Sequence, residues 1–358
     1  MYILGDHETD IYQDAEFPGI VARPIGNFEN KASYHYQTLR CNVDLLKPIQ
    51  LGVTLWTSEG ELPPSQPDAD VIQKIPYGNN LIACPCTWSF NFQFSLEDDM
   101  YAEQSIEMLR NAGLDFQKHQ ELGIDLNTFG ATLTTSGLAF DDDVNWLSFH
   151  SGYDFGYLVK LLTNDALPED EGKFKHLAKQ FFPKLWDVKH LLRHAQKDLH
   201  VQNRLTQSAA NIIASLGQKS GLADLATELG CQRYGQAHTA ASDSWLTGQV
   251  FWAMRSKIFE GHIPDELCDQ IYGLHNVGPP ASAAARDEFL QSQGHQTPQT
   301  NGGLAFHSGH TPSGHQAPST PTSTNAGISS ATPGPGHFSQ HGSMGTHGGF
   351  GNFSMGAR

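Results

Sequence analysis

Residues 146–158 read WLSFHSGYDFGYL, which joins a strand-like run to a helix-like run. Its first part continues an apolar run, from Val144 to Phe149, that is typical of a buried strand. Gly152 to Leu162 then has the helical period, with Phe155, Leu158 and Leu162 on one face. Asp154 lies at the junction between the two. The stretch therefore predicts an α/β unit with a carboxylate beside the end of a strand.

The same patterns elsewhere in the chain predict the other elements of a folded domain. Ile11-Tyr12 ends a short first strand, a second strand covers 49–56, and Trp88, Phe90, Phe92 and Phe94 alternate along a third. A short strand is expected at 185–188. Strands that later alternate with helices predict an α/β fold, with a mixed central sheet flanked by helices. The helical periods cover 31–46, 101–111, 125–135, 220–229 and 243–259.

Composition divides the 358 residues near position 275. Residues 276–358 are rich in Gly, Ser, Pro and His and hold four charged residues, so they cannot bury enough apolar surface to offset chain entropy. We expect one folded domain at 1–275 and a disordered tail at 276–358. The sequence contains no run of 18 apolar residues, so it predicts no membrane-spanning helix. The start of the chain does not look like a signal peptide, and five scattered cysteines favour the reducing cytosol or nucleus.

The formal charge of −16 argues against simple electrostatic binding of nucleic acid. It does not exclude a nuclease, because carboxylates that hold divalent cations also count as negative. A locally basic stretch runs from Lys173 to Arg204. Contact with an RNA backbone is one interpretation of this stretch, and a solvated face balanced by the acidic remainder is the other.

Four acidic residues at three sites stand out in the folded part. Asp14 and Glu16 are two residues apart after the first strand, so both can point to one side. Asp154 and Asp243 each lie at the start of a predicted helix, and His238 precedes Asp243 by five residues. Each position has an ordinary alternative, because an aspartate at a helix start commonly caps the helix and a loop histidine is commonly a surface residue.

The combination of these positions is more informative than any one of them. Cleavage of a phosphodiester by two metal ions needs about four carboxylates from separate segments, which hold cations about 4 Å apart. It also needs a group that takes a proton from the attacking water, and histidine does this at neutral pH. The chain offers carboxylates and a histidine in a suitable order: Asp14, Glu16, Asp154, His238 and Asp243.

Four longer runs carry a resemblance to a known family. They are DAEFPGIVARPIG at 14–26, LRCNVDLLK at 39–47, WLSFHSGYDFGYL at 146–158 and AHTAASDS at 237–244. Over most of 11–273 the chain resembles the Pop/Caf-type deadenylases, catalytic subunits of the Ccr–Not complex within the DEDD exonuclease superfamily. The resemblance implies an RNase H-like fold and 3′→5′ removal of poly(A) tails with release of AMP, in mRNA turnover and translational repression.

The resemblance also implies roles for individual residues and a set of partners. Asp14, Glu16 and Asp243 would hold one divalent cation, Mg²⁺ or Mn²⁺, and Asp14 and Asp154 a second. His238 would orient and deprotonate the water. Independently of the resemblance, Phe17 follows the first pair of carboxylates, and we expect it either to stack on the terminal base or to support the site from below. Poly(A) RNA would be the substrate, the scaffold and second-deadenylase subunits of the complex would be partners, and the protein would be cytoplasmic and nuclear.

Three departures from the family pattern affect these expectations. Ala15 stands where the family has threonine, which removes a hydroxyl. Residues 67–86 form an insertion in the connection before the Trp88 strand. Thirteen residues precede Asp14, and the acidic ones, such as Asp10, look unlike a buried strand. We therefore expect a frayed first strand and an unusually high demand for Mg²⁺.

Two other functions remain open at this point. A catalytically impaired scaffold subunit would keep the partner surfaces without activity. A DNA-directed exonuclease would use the same fold on another substrate. An assay on poly(A), mixed RNA and single-stranded DNA separates the three.

Overall fold

The computed structural model describes residues 9–62, 86–201 and 204–275. The tail expected at 276–358 and nearly all of the insertion at 67–86 lie outside these ranges. The division into 1–275 and 276–358 therefore stays a prediction.

A mixed sheet of five strands forms the centre of the described part. Its order is β3-β2-β1-β4-β5, with β1 antiparallel to β2, β2 antiparallel to β3, and β1, β4 and β5 mutually parallel. The predicted mixed α/β architecture is confirmed. Because β1, β4 and β5 are parallel, their carboxyl ends lie at the same end of the sheet. The strands are β1 (Thr9–Glu16), β2 (Gln50–Thr57), β3 (Thr87–Asn91), β4 (Val144–Ser148) and β5 (Lys184–Asp187).

The first strand is longer and better ordered in its pairing than the sequence suggested. It does not end at Tyr12 but pairs with β2 along its whole length, up to Glu16 opposite Gln50. The acidic Asp10 is buried and accepts hydrogen bonds from the Asn145 amide, at 3.0 Å, and the Tyr12 hydroxyl, at 3.3 Å. The expectation of a frayed strand was therefore wrong, and the expected high demand for Mg²⁺ loses its basis.

Ten α-helices surround the sheet in the described ranges. The helices predicted from the sequence are present within a few residues of their expected bounds, and the last one begins three residues earlier than expected. Four helices were not predicted: α3, α6, α7 and α8. The bounds are α1 (Lys31–Leu45), α2 (Glu103–Asn111), α3 (Phe116–Leu122), α4 (Leu126–Thr134), α5 (Gly152–Thr163), α6 (Glu171–Phe181), α7 (Val188–Asp198), α8 (Gln207–Leu216), α9 (Leu222–Leu229) and α10 (Ala240–Lys257).

Alternate side chains of β1 enter two cores on opposite faces of the sheet. Ile11 and Ala15 pack with α1, α5 and α6. Tyr12 packs on the other face with α7, α8, α9 and α10. Because both faces are covered, β1 is a buried central strand, which fixes the direction of every side chain that it carries. Among the described helices, none has the length and apolar character needed to cross a membrane.

Candidate active site

The last residues of β1 carry two buried carboxylates. Asp14 and Glu16 point to the same face of the sheet, because they are two apart on a regular strand. Asp243 approaches them from α10. One ligand oxygen from each of the three lies within 4.8 Å of the others, and all three side chains are buried. The structure therefore brings together the three residues expected to hold the first cation.

A close contact between α10 and β2 positions Asp243. Gly52 lies opposite Asp14 in the sheet, and a Cβ on Gly52 would lie 2.0 Å from the carbonyl carbon and oxygen of Ala240. The helix start is further held by Gln50, whose side-chain oxygen accepts a hydrogen bond from the Ala240 N–H at 2.8 Å. Only a residue without a side chain lets the first turn of α10 approach the strand this closely.

Asp154 lies beside this cluster, in the first turn of α5. One of its oxygens accepts a hydrogen bond from the Ala15 N–H at 3.1 Å, and the other accepts one from the Ser148 hydroxyl. These bonds fix the carboxylate next to the backbone that joins Asp14 to Glu16. Each oxygen retains a lone pair for a further ligand.

Neither helix-start aspartate caps its helix. The N-cap of α5 is Ser151, and the N-cap of α10 is Thr239. Asp154 and Asp243 lie within the first turns, where the positive end of the helix dipole favours a carboxylate. The ordinary interpretation of these residues as caps is therefore wrong.

Asp187, at the end of β5, braces the loop that delivers Asp154. Its buried carboxylate accepts hydrogen bonds from the N–H groups of His150 and Ser151, each at 3.1 Å. It also accepts one from the Tyr272 N–H at 2.9 Å. His150 adopts a φ of +67°, a conformation that costs free energy in a residue with a side chain, so these bonds are needed to hold the turn.

The segment before α10 returns twice to Asp243. A guanidinium nitrogen of Arg233 lies 2.7 Å from one oxygen of this carboxylate. The backbone N–H of His238 donates to the other oxygen at 2.9 Å. His238 itself has a φ of +62° and a half-buried side chain. The bond to Asp243 therefore fixes the backbone of His238 next to the carboxylate cluster, and the imidazole extends from that position.

Burial and mutual repulsion raise the proton affinity of this cluster. Burial is the main cause that raises the pKa of Glu16 to about 8, and the charges of Asp243 and Asp154 add to it. Burial, then Asp243, Asp154 and Glu16, raise the pKa of Asp14 well above its ordinary value. Burial also raises the pKa of Asp154 to about 7, against the hydrogen bonds from Ser148 and Ala15.

The donor set fits hard divalent cations. All the converging atoms are carboxylate oxygens, which are the ligands that Mg²⁺ and Mn²⁺ prefer. Arg233 lowers the pKa of Asp14 and Glu16, but one guanidinium does not balance the carboxylates around it. Bound cations would supply the missing positive charge and let the carboxylates ionise.

Phe17 follows the carboxylates and packs under the site. Its ring stacks on Tyr153 at a centroid distance of 4.8 Å and an angle of 17°, and contacts Tyr157 at 5.6 Å. These contacts correspond to the supporting role considered for Phe17. Contact with a terminal base stays a prediction.

The basic stretch from Lys173 to Arg204 has many partners within the protein. Lys175 pairs with Glu171 at 2.6 Å, and Lys179 pairs with Asp269. Lys189 is buried, with its ammonium nitrogen 3.4 Å from Nδ1 of His150. Intramolecular contacts therefore account for a large part of this stretch, which weakens its interpretation as an RNA-binding face.

Several residues that build the site were not found from the sequence. Ser148 lies in the quoted run, but nothing in its spacing indicates that it orients Asp154. Arg233 lies five residues before His238, and an arginine in a loop carries no signal of its own. Gln50 and Gly52 were assigned only to a strand. Their roles depend on contacts between segments that are distant in sequence.

The comparison with protein families gives one match across most of the described chain. A model described as "CAF1 family ribonuclease" matches residues 12–128 and 143–251. The matched ranges include Asp14, Glu16, Asp154, His238 and Asp243.

Curated relatives from three kingdoms are similar over most of their length. Poly(A) ribonuclease pop2 of Schizosaccharomyces pombe is 40% identical over 268 residues, which are 75% of this chain and 68% of the relative. Probable CCR4-associated factor 1 homolog 7 of Arabidopsis thaliana is 40% identical over 74% of this chain and 84% of the relative. CCR4-NOT transcription complex subunit 7 of Caenorhabditis elegans is 37% identical over 81% of this chain and 82% of the relative.

Solved structures give the same result for the fold. S. pombe Pop2p in its Mg²⁺- and Mn²⁺-bound form has a TM-score of 0.61 and 40% identity, over 75% of this chain and 90% of that one. Yeast CAF1 co-crystallised with the NOT1 MIF4G domain has a TM-score of 0.54 and 28% identity, over 74% of this chain and 88% of that one. The expected RNase H-like exonuclease fold is thereby confirmed.

Proposed function

Because the chain belongs to the CAF1 ribonuclease family, we propose that it is a poly(A)-specific 3′→5′ exoribonuclease that shortens messenger RNA tails and releases AMP. The observation that carries this proposal is the buried cluster of Asp14, Glu16 and Asp243, on the fold of a relative described as Mg²⁺- and Mn²⁺-bound. The protein is a metal-dependent ribonuclease, and the roles of its individual residues are proposed below.

The carboxylates divide between two cation positions. Asp14, Glu16 and Asp243 would hold one divalent cation, and Asp14 and Asp154 would hold a second. Such cations, when bound, neutralise the phosphate and lower the pKa of a water ligand. Ser148 and the Ala15 N–H keep Asp154 pointing at the shared position. Arg233 contacts one oxygen of Asp243 and so limits the rotation of this carboxylate.

His238 acts as the general base. Its backbone N–H donates to Asp243, so the imidazole extends from a backbone position next to the carboxylate cluster. The imidazole takes a proton from water as the water oxygen bonds to phosphorus. The bond from phosphorus to the 3′ oxygen of the preceding nucleotide breaks, and this oxygen takes up a proton from solvent. The products are AMP and a strand shorter by one residue with a free 3′ hydroxyl.

Two alternatives are less consistent with these observations. A catalytically impaired scaffold has no use for buried carboxylates that repel one another, because their desolvation opposes folding. A DNA-directed exonuclease disagrees with the relative named as a poly(A) ribonuclease. The substrate assay that separates these functions is the purified protein with Mg²⁺ or Mn²⁺ on labelled oligo(A), mixed RNA and single-stranded DNA.

Variants extend that assay to the proposed roles. Glu16→Gln and Asp243→Asn are expected to lower kcat on oligo(A) by about 10³-fold or more, because each removes a ligand charge without changing shape. His238→Ala is expected to lower kcat by about 10²-fold or more, while Mg²⁺ still raises its melting temperature as in wild type. Glu97→Gln is the matched control, since Glu97 is exposed and outside the site. Wild-type activity in the two carboxylate variants would overturn the assignment.

The proposed partners follow from the relatives. The C. elegans relative is named as a CCR4-NOT subunit, and the yeast CAF1 was crystallised with NOT1. We infer that this chain binds a scaffold subunit of the same kind, beside a second deadenylase, and works in the cytoplasm and nucleus. Co-purification with tagged subunits and imaging of a fluorescent fusion test these two statements.

A further inference from the structure

An exposed tyrosine lies beside the carboxylate cluster. The exposed large hydrophobic side chains in the described ranges include two aromatic ones, Tyr234 at 78% and Phe140 at 52%. Phe140 lies before the start of β4, whereas the carboxylates lie near the carboxyl ends of the parallel strands, at the opposite end of the sheet. Tyr234 lies in the segment between α9 and α10 and follows Arg233, the residue paired with Asp243.

Contacts at both ends fix the segment that carries Tyr234. Arg233 donates to the Ser242 hydroxyl at 3.0 Å as well as pairing with Asp243, and the Gln232 N–H donates to the Gln249 side chain at 3.1 Å. The His238 N–H holds the far end on Asp243. The ring of Tyr234 is therefore exposed on a segment whose position is tied to the site.

Other aromatic rings support Tyr234 from below. Its ring centroid lies 6.0 Å from that of Trp245, at an angle of 47°. Trp245 in turn lies 6.0 Å from Trp56, which is buried against the sheet. A ring that is held from one side and open on the other offers a flat surface to a planar ligand.

The charge of the protein makes such a surface useful. With a net charge of −16, and with many cations of the basic stretch paired internally, attraction to the phosphate backbone is weak. Stacking of bases on aromatic side chains needs no net positive charge. Tyr234 adjoins Arg233, which contacts Asp243, so its ring is an exposed aromatic surface beside the site.

We propose that Tyr234 is a stacking platform for one base near the 3′ end of the substrate RNA. This inference rests on the proposed ribonuclease function and adds a residue that binds the strand without taking part in the chemistry. Tyr234 would then set how firmly the last few nucleotides are held before each cleavage.

The test is a scan with oligo(A) substrates that each lack one base. An abasic nucleotide is placed at successive positions from the 3′ end, and KM and kcat are measured for wild type and Tyr234→Ala. At one position we expect the missing base to raise KM of wild type by about 10-fold, which corresponds to about 1.4 kcal/mol. Tyr234→Ala should show the raised KM on intact oligo(A) and no further rise at that position, because ring and base act as a pair.

Controls separate stacking from a structural effect. Tyr234→Phe keeps the ring and is expected to behave as wild type, and Phe140→Ala removes an exposed ring far from the site. If Tyr234→Ala keeps the full abasic penalty at every position, the platform does not exist, whatever its KM. If instead wild type fails to shorten oligo(A), the proposed function fails and Tyr234 is not the cause.

Discussion

Substitution of Gly52 by alanine should separate the carboxylates of the site without altering any of them. The added Cβ would lie 2.0 Å from the carbonyl carbon and oxygen of Ala240 and 2.4 Å from the nitrogen of Ala241. Carbon atoms pack at about 3.5–4.0 Å, so the two backbones must move apart by about 1.5 Å. Because these three contacts are all with backbone atoms, no side-chain rotation relieves the clash.

The displacement acts on Asp243, three residues after Ala240 in the same helix. The ligand atoms of Asp14, Glu16 and Asp243 lie within 4.8 Å of one another, so a shift of this size changes the spacing by about a third. A misplacement of about 1 Å costs about 10²-fold in rate. Overpacking also destabilises a fold by about 1–3 kcal/mol. We expect kcat to fall about 10²-fold and the Mg²⁺ concentration for half-maximal activity to rise.

The assay combines oligo(A) shortening with a Mg²⁺ titration of activity and of melting temperature. Gly172→Ala is the matched control, because its Cβ would meet only a side-chain oxygen of Asp170, at 3.2 Å, within α6. That change should be neutral or stabilising by about 0.5–1 kcal/mol, with unchanged kcat. Gln50→Ala gives a second variant without a clash, since it removes only side-chain bonds, including the one to the Ala240 N–H.

We expect Gln50→Ala to lower kcat by about 10-fold, in the same direction as Gly52→Ala. Wild-type kcat and Mg²⁺ dependence in both folded variants would refute the reasoning. The spacing between α10 and β2 would then not control the geometry of the site.

Two further predictions concern charge. Glu16 and Asp154 have folded-state pKa values raised to about 8 and about 7, from ordinary values of 4.5 and 3.8, so the stability they contribute is full at low pH and is lost as pH rises to 8. The melting temperature in EDTA should therefore fall between about pH 5 and pH 8, less steeply in Glu16→Gln; equal slopes would contradict the assignment. Arg233→Met should destabilise the metal-free protein by about 2–4 kcal/mol, and Mg²⁺ should raise its melting temperature by more than in wild type. An identical Mg²⁺-induced shift in calorimetry would show that Arg233 does not offset the carboxylate charge.

Much of the fold was predictable from local patterns. The run from Val144 to Leu162 gave a strand, a junction and a helix close to their observed bounds, because apolar period and glycine position agree there. Three of the four missed helices, α6, α7 and α8, had the same signal. In α7, for example, the buried residues Val188, Leu191, Leu192 and Ala195 recur at helical spacing. Lysines and arginines between these residues interrupt the apolar run along the sequence, which makes the period less evident. The fourth missed helix, α3, has seven residues and too few apolar positions to show a period.

The carboxylates of the site were predictable, but the groups that hold them were not. Asp14, Glu16 and Asp243 converge as expected. They could be identified in advance because each lies in a conspicuous motif of the sequence. Arg233 contacts Asp243 only because the segment before α10 folds back on the helix start. The first strand was misjudged for a related reason. The partner that makes a buried Asp10 acceptable, Asn145, is 135 residues away in sequence.

The architecture of the site sets a conflict between the stability of the metal-free fold and its use of metal. Asp14 and Glu16 lie on a strand that pairs with β2 along its whole length and with β4 as far as Tyr12, so they have little freedom to move apart when they ionise. Asp243 is fixed by the contact at Gly52, and Asp154 by Ser148 and the Ala15 N–H. Rigid placement makes the repulsion unavoidable and also removes the cost of assembling ligands when a cation arrives. The metal-free protein can lower its repulsion only by retaining protons, as the raised pKa of Glu16 indicates. Protons and metal ions therefore compete for the same oxygens, and metal affinity should weaken as the pH falls below about 8.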